Sequence, residues 1–251
     1  ALQITDQEAW TERDPVRVTI PTYLREAIEE VAFQARKSEF LDQSSGVSAR
    51  LPITLLEDVV SNAERRAVLS GEEEIAARPA DLQQAVSAVT GKVELVYEGE
   101  QEGALNVARH LIGRALKSAF DRYLPDAYKS SSKDDPSFGP YKAVISFFAR
   151  GKNIEGSDET PTAELLRALR QIEGLEELAR KHLPIERDEL DLGAAMEFVL
   201  EGLHQSRLIA KDEVEGHTRY KDMLGSMLEG MEGGKPPRPP RERGRKRDED
   251  E

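Results

Sequence analysis

The sequence predicts an all-α fold on three observations. Apolar residues recur at helical spacing along most of the chain, the runs open and close with helix-terminating chemistry, and the few alternating stretches have no neighbour to pair with. The longest run, Ala104, Val107, Ala108, Leu111, Ile112, Ala115, Ala119 and Tyr123, keeps one apolar face over roughly five turns of 3.6 residues. An apolar fraction of 38% beside a charged fraction of 33% is lean for a globular chain, which favours long helices with wide solvated faces.

The elements follow in order. Residues 1–20 read as a connector whose only pattern, Val16 to Ile20, alternates like a lone strand. From Pro21 the period turns helical through Leu24, Ile28, Val31, Ala32 and Ala35, with proline where a helix start tolerates it. A second helix follows Ser48, carrying Leu56, Val59, Val60, Ala63 and Ala67, with Pro52 in its first turn and Gly71 as its stop. Pro79-Ala80-Asp81 opens a third, with its acid at the positive end of the dipole. Lys92 to Tyr97 alternates like a strand, yet with no partner segment the reading leans to helix. After the long run, residues 126–140 are rich in Ser, Asp, Pro and Gly and read as a linker.

Beyond the linker, Tyr141 to Arg150, Thr162 to Ile172, Leu175 to His182 and Leu190 to Leu208 read as helices, the last with Leu192, Ala195, Met196, Val199 and Leu203 on one face. The domain reading is therefore a helical unit over 21–125, a second helical region over 141–210, and a flexible tail over 211–251. In that tail Tyr220, Met223, Leu224, Met227, Leu228 and Met231 would line a short helix, before a Gly-, Pro- and Arg-rich end that cannot bury enough surface to offset its ordering entropy.

A net charge of −13 argues against a nucleic-acid or anionic-membrane surface. The absence of cysteine removes disulfide and thiolate-metal chemistry and fits a reducing compartment, and no apolar run of about 18 residues suggests a span. The expectation is a cytoplasmic protein. His110, His182, His204 and His217 are scattered without an i, i+4 pairing, so metal ligation is not expected of them. Glu72-Glu73-Glu74 and the Glu98 to Glu102 cluster read as solvated faces, and no Gly-x-Ser-x-Gly elbow is present. The basic stretch Lys235 to Arg247 reads as a solubilising tail.

One segment is more specific. Gly46-Val47-Ser48-Ala49-Arg50 is followed by a helix carrying Asn62-Ala63-Glu64-Arg65-Arg66-Ala67, then Gly71, then Arg78-Pro79-Ala80-Asp81-Leu82. This resembles the helical lid of the magnesium-chelatase AAA+ subunit and of MoxR-type ATPases, which carry a Gly-x-Ser-x-Arg element ahead of an Ala/Arg-rich helix; Thr90 to Gly103 resembles the C-terminal part of such proteins more weakly. The resemblance implies an AAA+ lid-like bundle over 21–125. It implies too that Arg50 is the sensor 2 arginine reaching the terminal phosphate of ATP, with Ser48 capping the helix that positions it. ATP and Mg2+ are the implied cofactors, and a homo-oligomeric ring and a partner with a von Willebrand A-type domain are implied associations.

On the residues alone, Arg50 reads more simply as a side chain that faces solvent or pairs with Glu57, and Arg65 and Arg66 as solvated arginines. No G-x-x-x-x-G-K-[ST] occurs in the 251 residues, so the expectation is the C-terminal part of a larger ATPase, inactive by itself. The alternative is a non-enzymatic helical scaffold or adaptor. The lid motif does not separate metal chelation from protein remodelling.

Overall fold

A computed structural model describes residues 2–13, 15–126, 139–214 and 216–223. The linker over 126–140 lies almost wholly outside these residues, as do the methionine-lined segment beyond Met223 and the basic stretch. The order is α1 (Leu2–Glu8), β1 (Arg17–Thr19), α2 (Thr22–Ala35), α3 (Arg50–Ser70), β2 (Glu74–Ala76), α4 (Pro79–Gln84), α5 (Val86–Thr90), α6 (Tyr97–Glu102) and α7 (Ala104–Tyr123). Then come a 3-10 turn (Gly139–Tyr141), α8 (Lys142–Ala149), β3 (Ile154–Ser157), α9 (Thr162–Leu169), α10 (Leu175–His182), α11 (Asp188–Gln205), β4 (Ala210–Val214) and β5 (His217–Lys221).

The chain is mostly helical, but the all-α expectation is corrected by two small sheets. Val18 of the expected connector pairs in parallel with Ile75, so β1 does have a partner, contributed by the segment after α3. Residues 211–221, assigned by the sequence to the tail, supply most of an antiparallel sheet of order β3-β5-β4. Lys92 to Val96 is not helical either: Leu41 bridges antiparallel to Leu95, and the Val96 N–H donates to Phe40 O at 3.1 Å. The helix begins only at Tyr97. In each case a backbone ladder bond to a distant segment overrides a local preference.

Helices with strong stops fall where the sequence puts them. Gly71 closes α3 at φ 72°, a left-handed conformation that costs glycine little, and its N–H donates to Ala67 O. The third helix instead breaks at Ala85, giving α4 and α5.

One buried apolar cluster runs through residues both before and after the 126–140 segment. α2 and α11 both pack against α7. Tyr23 of α2 packs against Phe198 of α11 in a tilted arrangement with ring centroids 4.6 Å apart, and the Phe120 ring of α7 lies 6.0 Å from that of Tyr141. α11 is the central element. Its apolar face was legible, yet residues 191–203 are buried on every side, the pattern of a helix enclosed by others. At Gly202 a Cβ would overlap the Phe120 ring, so glycine there lets α7 and α11 approach. No described helix is long and apolar enough to cross a membrane.

Candidate functional site

The loop that leads into α3 is built from short polar side chains. The Asp42 carboxylate accepts the Ser44 N–H at 2.8 Å and the Ser44 hydroxyl at 2.6 Å, an Asx-type turn. These bonds, the Ser44 hydroxyl first, hold the Asp42 carboxyl below the usual carboxylate range. The Ser45 hydroxyl bonds the Glu94 carboxylate, and the Asp42 N–H donates to Glu94 O at 2.9 Å, so the loop is fastened to residues 93–96. Gly46 then turns at φ 70°.

The N-cap of α3 is Ala49, which makes no side-chain cap bond; support for the helix start comes from the residue before it, Ser48. Its hydroxyl accepts the Arg50 N–H at 3.2 Å, and its carbonyl accepts the Leu51 N–H. Arg50, the first residue of α3, is exposed and makes no ion pair with a described residue. Glu57 is not its partner: that carboxylate accepts the Trp10 N–H. Beside the start of α3 an open cleft of about 430 Å³ separates Ser45–Ser48 from Gly91–Glu94, with Lys92 exposed on the far wall.

The other arginines of the same segment are committed. Arg65 pairs with Asp158 at 3.1 Å and Glu159 at 2.7 Å. Arg66, expected to be solvated, has a side chain only 1% exposed; it meets Asp81 at 2.8 Å and donates to Ala76 O at 3.0 Å. Arg78 is equally buried, and its guanidinium donates to the carbonyls of Ser157, Asp158 and Thr160, the turn that joins β3 to α9. The Glu72 to Glu74 cluster is likewise structural: Glu72 accepts the Ser70 hydroxyl and the Thr162 N–H, and Glu74 pairs with Arg187 and Arg17.

These arginines lead into a set of buried charges that the sequence reading missed. Glu197 and Glu201 lie one turn apart on the enclosed α11. Glu197 meets Arg78 Nε at 3.4 Å and accepts the Ala80 N–H at 2.9 Å; Glu201 meets Lys211 of β4 at 3.1 Å and accepts the Tyr220 hydroxyl at 3.3 Å. With Arg66 and Asp81 the set is three cations and three anions, so its formal charges balance.

Its balance is uneven from pair to pair. Burial raises the Glu197 carboxyl pKa beyond what Arg78 can offset, and burial lowers that of Arg78. Burial pushes Glu201 the same way, but Lys211, His204 and the Gln205 amide together outweigh it, and the net direction is downward. The available signal was acids inside an apolar run of α11, Met196-Glu197 and Leu200-Glu201. Enclosed from solvent, the network ties α3 and α4 to the C-terminal elements and is placed for structural coupling, not for chemistry on a substrate.

The structure therefore keeps Ser48 and Arg50 together at an accessible helix start, and separates them from the arginines that share their segment. Among the described residues no group of three or more His, Asp or Glu is placed to hold a metal ion. Comparison of the chain with protein-family profiles, with characterised proteins and with solved structures returns no match.

Proposed function

We propose that this chain is the lid portion of an AAA+ ATPase resembling the magnesium-chelatase ATPase subunit and MoxR-type proteins, with Arg50 reading the terminal phosphate of bound ATP. One observation carries the reading: of the four arginines between Ser44 and Leu82, three are held by carboxylates or carbonyls, and Arg50 alone is exposed without an ion pair to a described residue. A guanidinium keeps its charge at any working pH and offers a rigid fork of donors to phosphate oxygens. Ser48 fixes the backbone from which it projects, and the adjoining cleft leaves room for an approaching ligand.

The residues present suit one phosphate contact and not a whole nucleotide site. The amides that wrap the phosphates, and the ligands of Mg2+, would come from a P-loop core outside these 251 residues. A ring-shaped homo-oligomer, a von Willebrand A-type partner and a remodelling role in the cytoplasm belong to the same proposal. Bound ATP would draw Arg50 and α3 towards the core. Through Arg65, Arg66 and Arg78 that displacement would reach α11 and the β3–α9 turn.

The experiment is ATP turnover by the protein carrying both this chain and its P-loop core, with Arg50→Ala and Arg50→Lys. Loss of turnover on the order of 100-fold in the alanine variant is expected, as for removal of one charge-stabilising donor. Unchanged turnover would remove the assignment. Solvent-facing Trp10, Val68, Leu69, Tyr97 and Leu105 favour a second reading, a non-enzymatic helical scaffold or adaptor whose protein binding is insensitive to Arg50.

A further inference from the structure

A second, smaller cleft of about 170 Å³ opens between α4–α5, α7, α11 and β4. Its floor depends on Gly113 of α7, where a Cβ would come 2.7 Å from Gln205 Oε1; glycine lets the Gln205 amide lie between the two helices. Behind it, Lys211 Nζ donates to Gln83 Oε1 at 2.6 Å and to Glu201 Oε2 at 3.1 Å, and the Lys211 side chain is 5% exposed. The Gln205 amide donates to the other Glu201 oxygen at 2.8 Å. The back of the cleft is thus built, buried and neutralised.

Two unlike charges remain at its wall. Arg109 is exposed and has no ion pair with a described residue. Glu213 is 40% exposed and only loosely engaged, 3.9 Å from Lys211 and 3.5 Å from Gln84. A ligand with net negative charge would face Glu213, and one with net positive charge would face Arg109. A ligand carrying both charges meets a complement for each. The side-chain amides of the wall offer donors and acceptors for its other polar atoms.

We propose that this cleft binds a small zwitterion of the α-amino-acid class, its carboxylate on Arg109 and its ammonium on Glu213. A guanidinium grips a carboxylate through paired N–H bonds, which fixes the end that enters first. The volume sets the size limit, since it falls below the roughly 300 Å³ of pockets that hold drug-sized molecules. The cleft is walled by elements from both sides of the 126–140 segment, so an occupant would brace α7 against β4. This inference stands apart from the nucleotide reading and survives its failure.

The test is a titration of the 251-residue chain with the common free amino acids, followed in 1H–15N spectra, with acetate and ethylammonium as single-charge probes. At least one amino acid is expected to give saturable shifts at the amides of Gly113, Gln205 and Lys211, with both single-charge probes inert at the same concentrations. Arg109→Ala and Glu213→Gln should each weaken binding by about tenfold or more, as for loss of a charge-assisted contact. Both side chains are exposed, so the variants keep the fold, which the unshifted part of the spectrum verifies. The proposal is overturned if no amino acid gives a saturable shift, if either variant binds as tightly as the parent, or if acetate binds as tightly as the amino acid.

Discussion

Replacing Arg66 by methionine removes the cation from the most enclosed ion pair among the described residues. The side chains of Arg66 and Asp81 are 1% and 2% exposed, and Arg66 Nη2 serves both Asp81 Oδ2 at 2.8 Å and Ala76 O at 3.0 Å. Methionine fills much of the same space, so the loss is chiefly electrostatic. Asp81 would keep one donor, the Arg78 N–H at 2.9 Å, and an uncompensated buried charge of this kind costs about 3–5 kcal/mol. Two effects pull in opposite directions: the orphaned Ala76 carbonyl adds to the cost, and Arg78 is relieved of a like charge nearby. Burial also leaves Arg66 Nε without a partner in the parent, so part of its desolvation cost is recovered. The lower part of the range, about 3 kcal/mol, is the expected loss, a large fraction of the roughly 5–15 kcal/mol that holds a domain folded.

Urea unfolding followed by circular dichroism at pH 7 measures this, and a double-mutant cycle isolates the pair. Arg66→Met with Asp81→Asn keeps an acceptor for the Arg78 N–H and removes the stranded charge. It should recover at least half of the single-variant loss. A single variant within about 1 kcal/mol of the parent, the range of a surface ion pair, would refute the reasoning; so would a double variant no better than the single.

The remaining predictions concern packing, pH and the exposed arginine. Gly202→Ala puts a methyl into the Phe120 ring and should cost about 1–3 kcal/mol or more in thermal or urea unfolding, because a close-packed core cannot move aside freely. Glu197 has its folded pKa above the unfolded value of about 4.3, so proton uptake favours the fold. That stability is complete below the unfolded pKa and is lost as pH rises through the raised folded value. The difference in unfolding free energy between parent and Glu197→Gln, followed upward from pH 4, should therefore decline in that window. Arg50→Ala should leave stability within about 0.5 kcal/mol of the parent, as its side chain is exposed and unpaired among the described residues.

What could be read from the residues was what short-range chemistry decides. α3 begins just past Ser48 and closes at Gly71, near the signals the residues carry, and α10 occupies Leu175–His182, the span its apolar spacing marks. The pairs Val18 with Ile75 and Glu155 with Arg219 were not legible, since a three- or four-residue strand has a partner only once helices have folded the chain back. The candidate site divides in the same way. Ser48 and Arg50 are local to one helix start, and the structure keeps them adjacent and accessible. Arg66 looks solvated in sequence because the carbonyl and carboxylate that accept its donors lie on other elements. α11 hid its role by having an apolar face good enough to pass as amphipathic, although the acids on its other faces are buried as well.

The most direct test of the ATPase proposal is the reading frame upstream of the Ala1 codon, determined together with the point at which translation begins. If this chain is the lid of such an ATPase, an open frame there encodes G-x-x-x-x-G-K-[ST] between a strand and a helix, joined to this chain in one protein. A start codon immediately before Ala1 would contradict this and leave the scaffold reading.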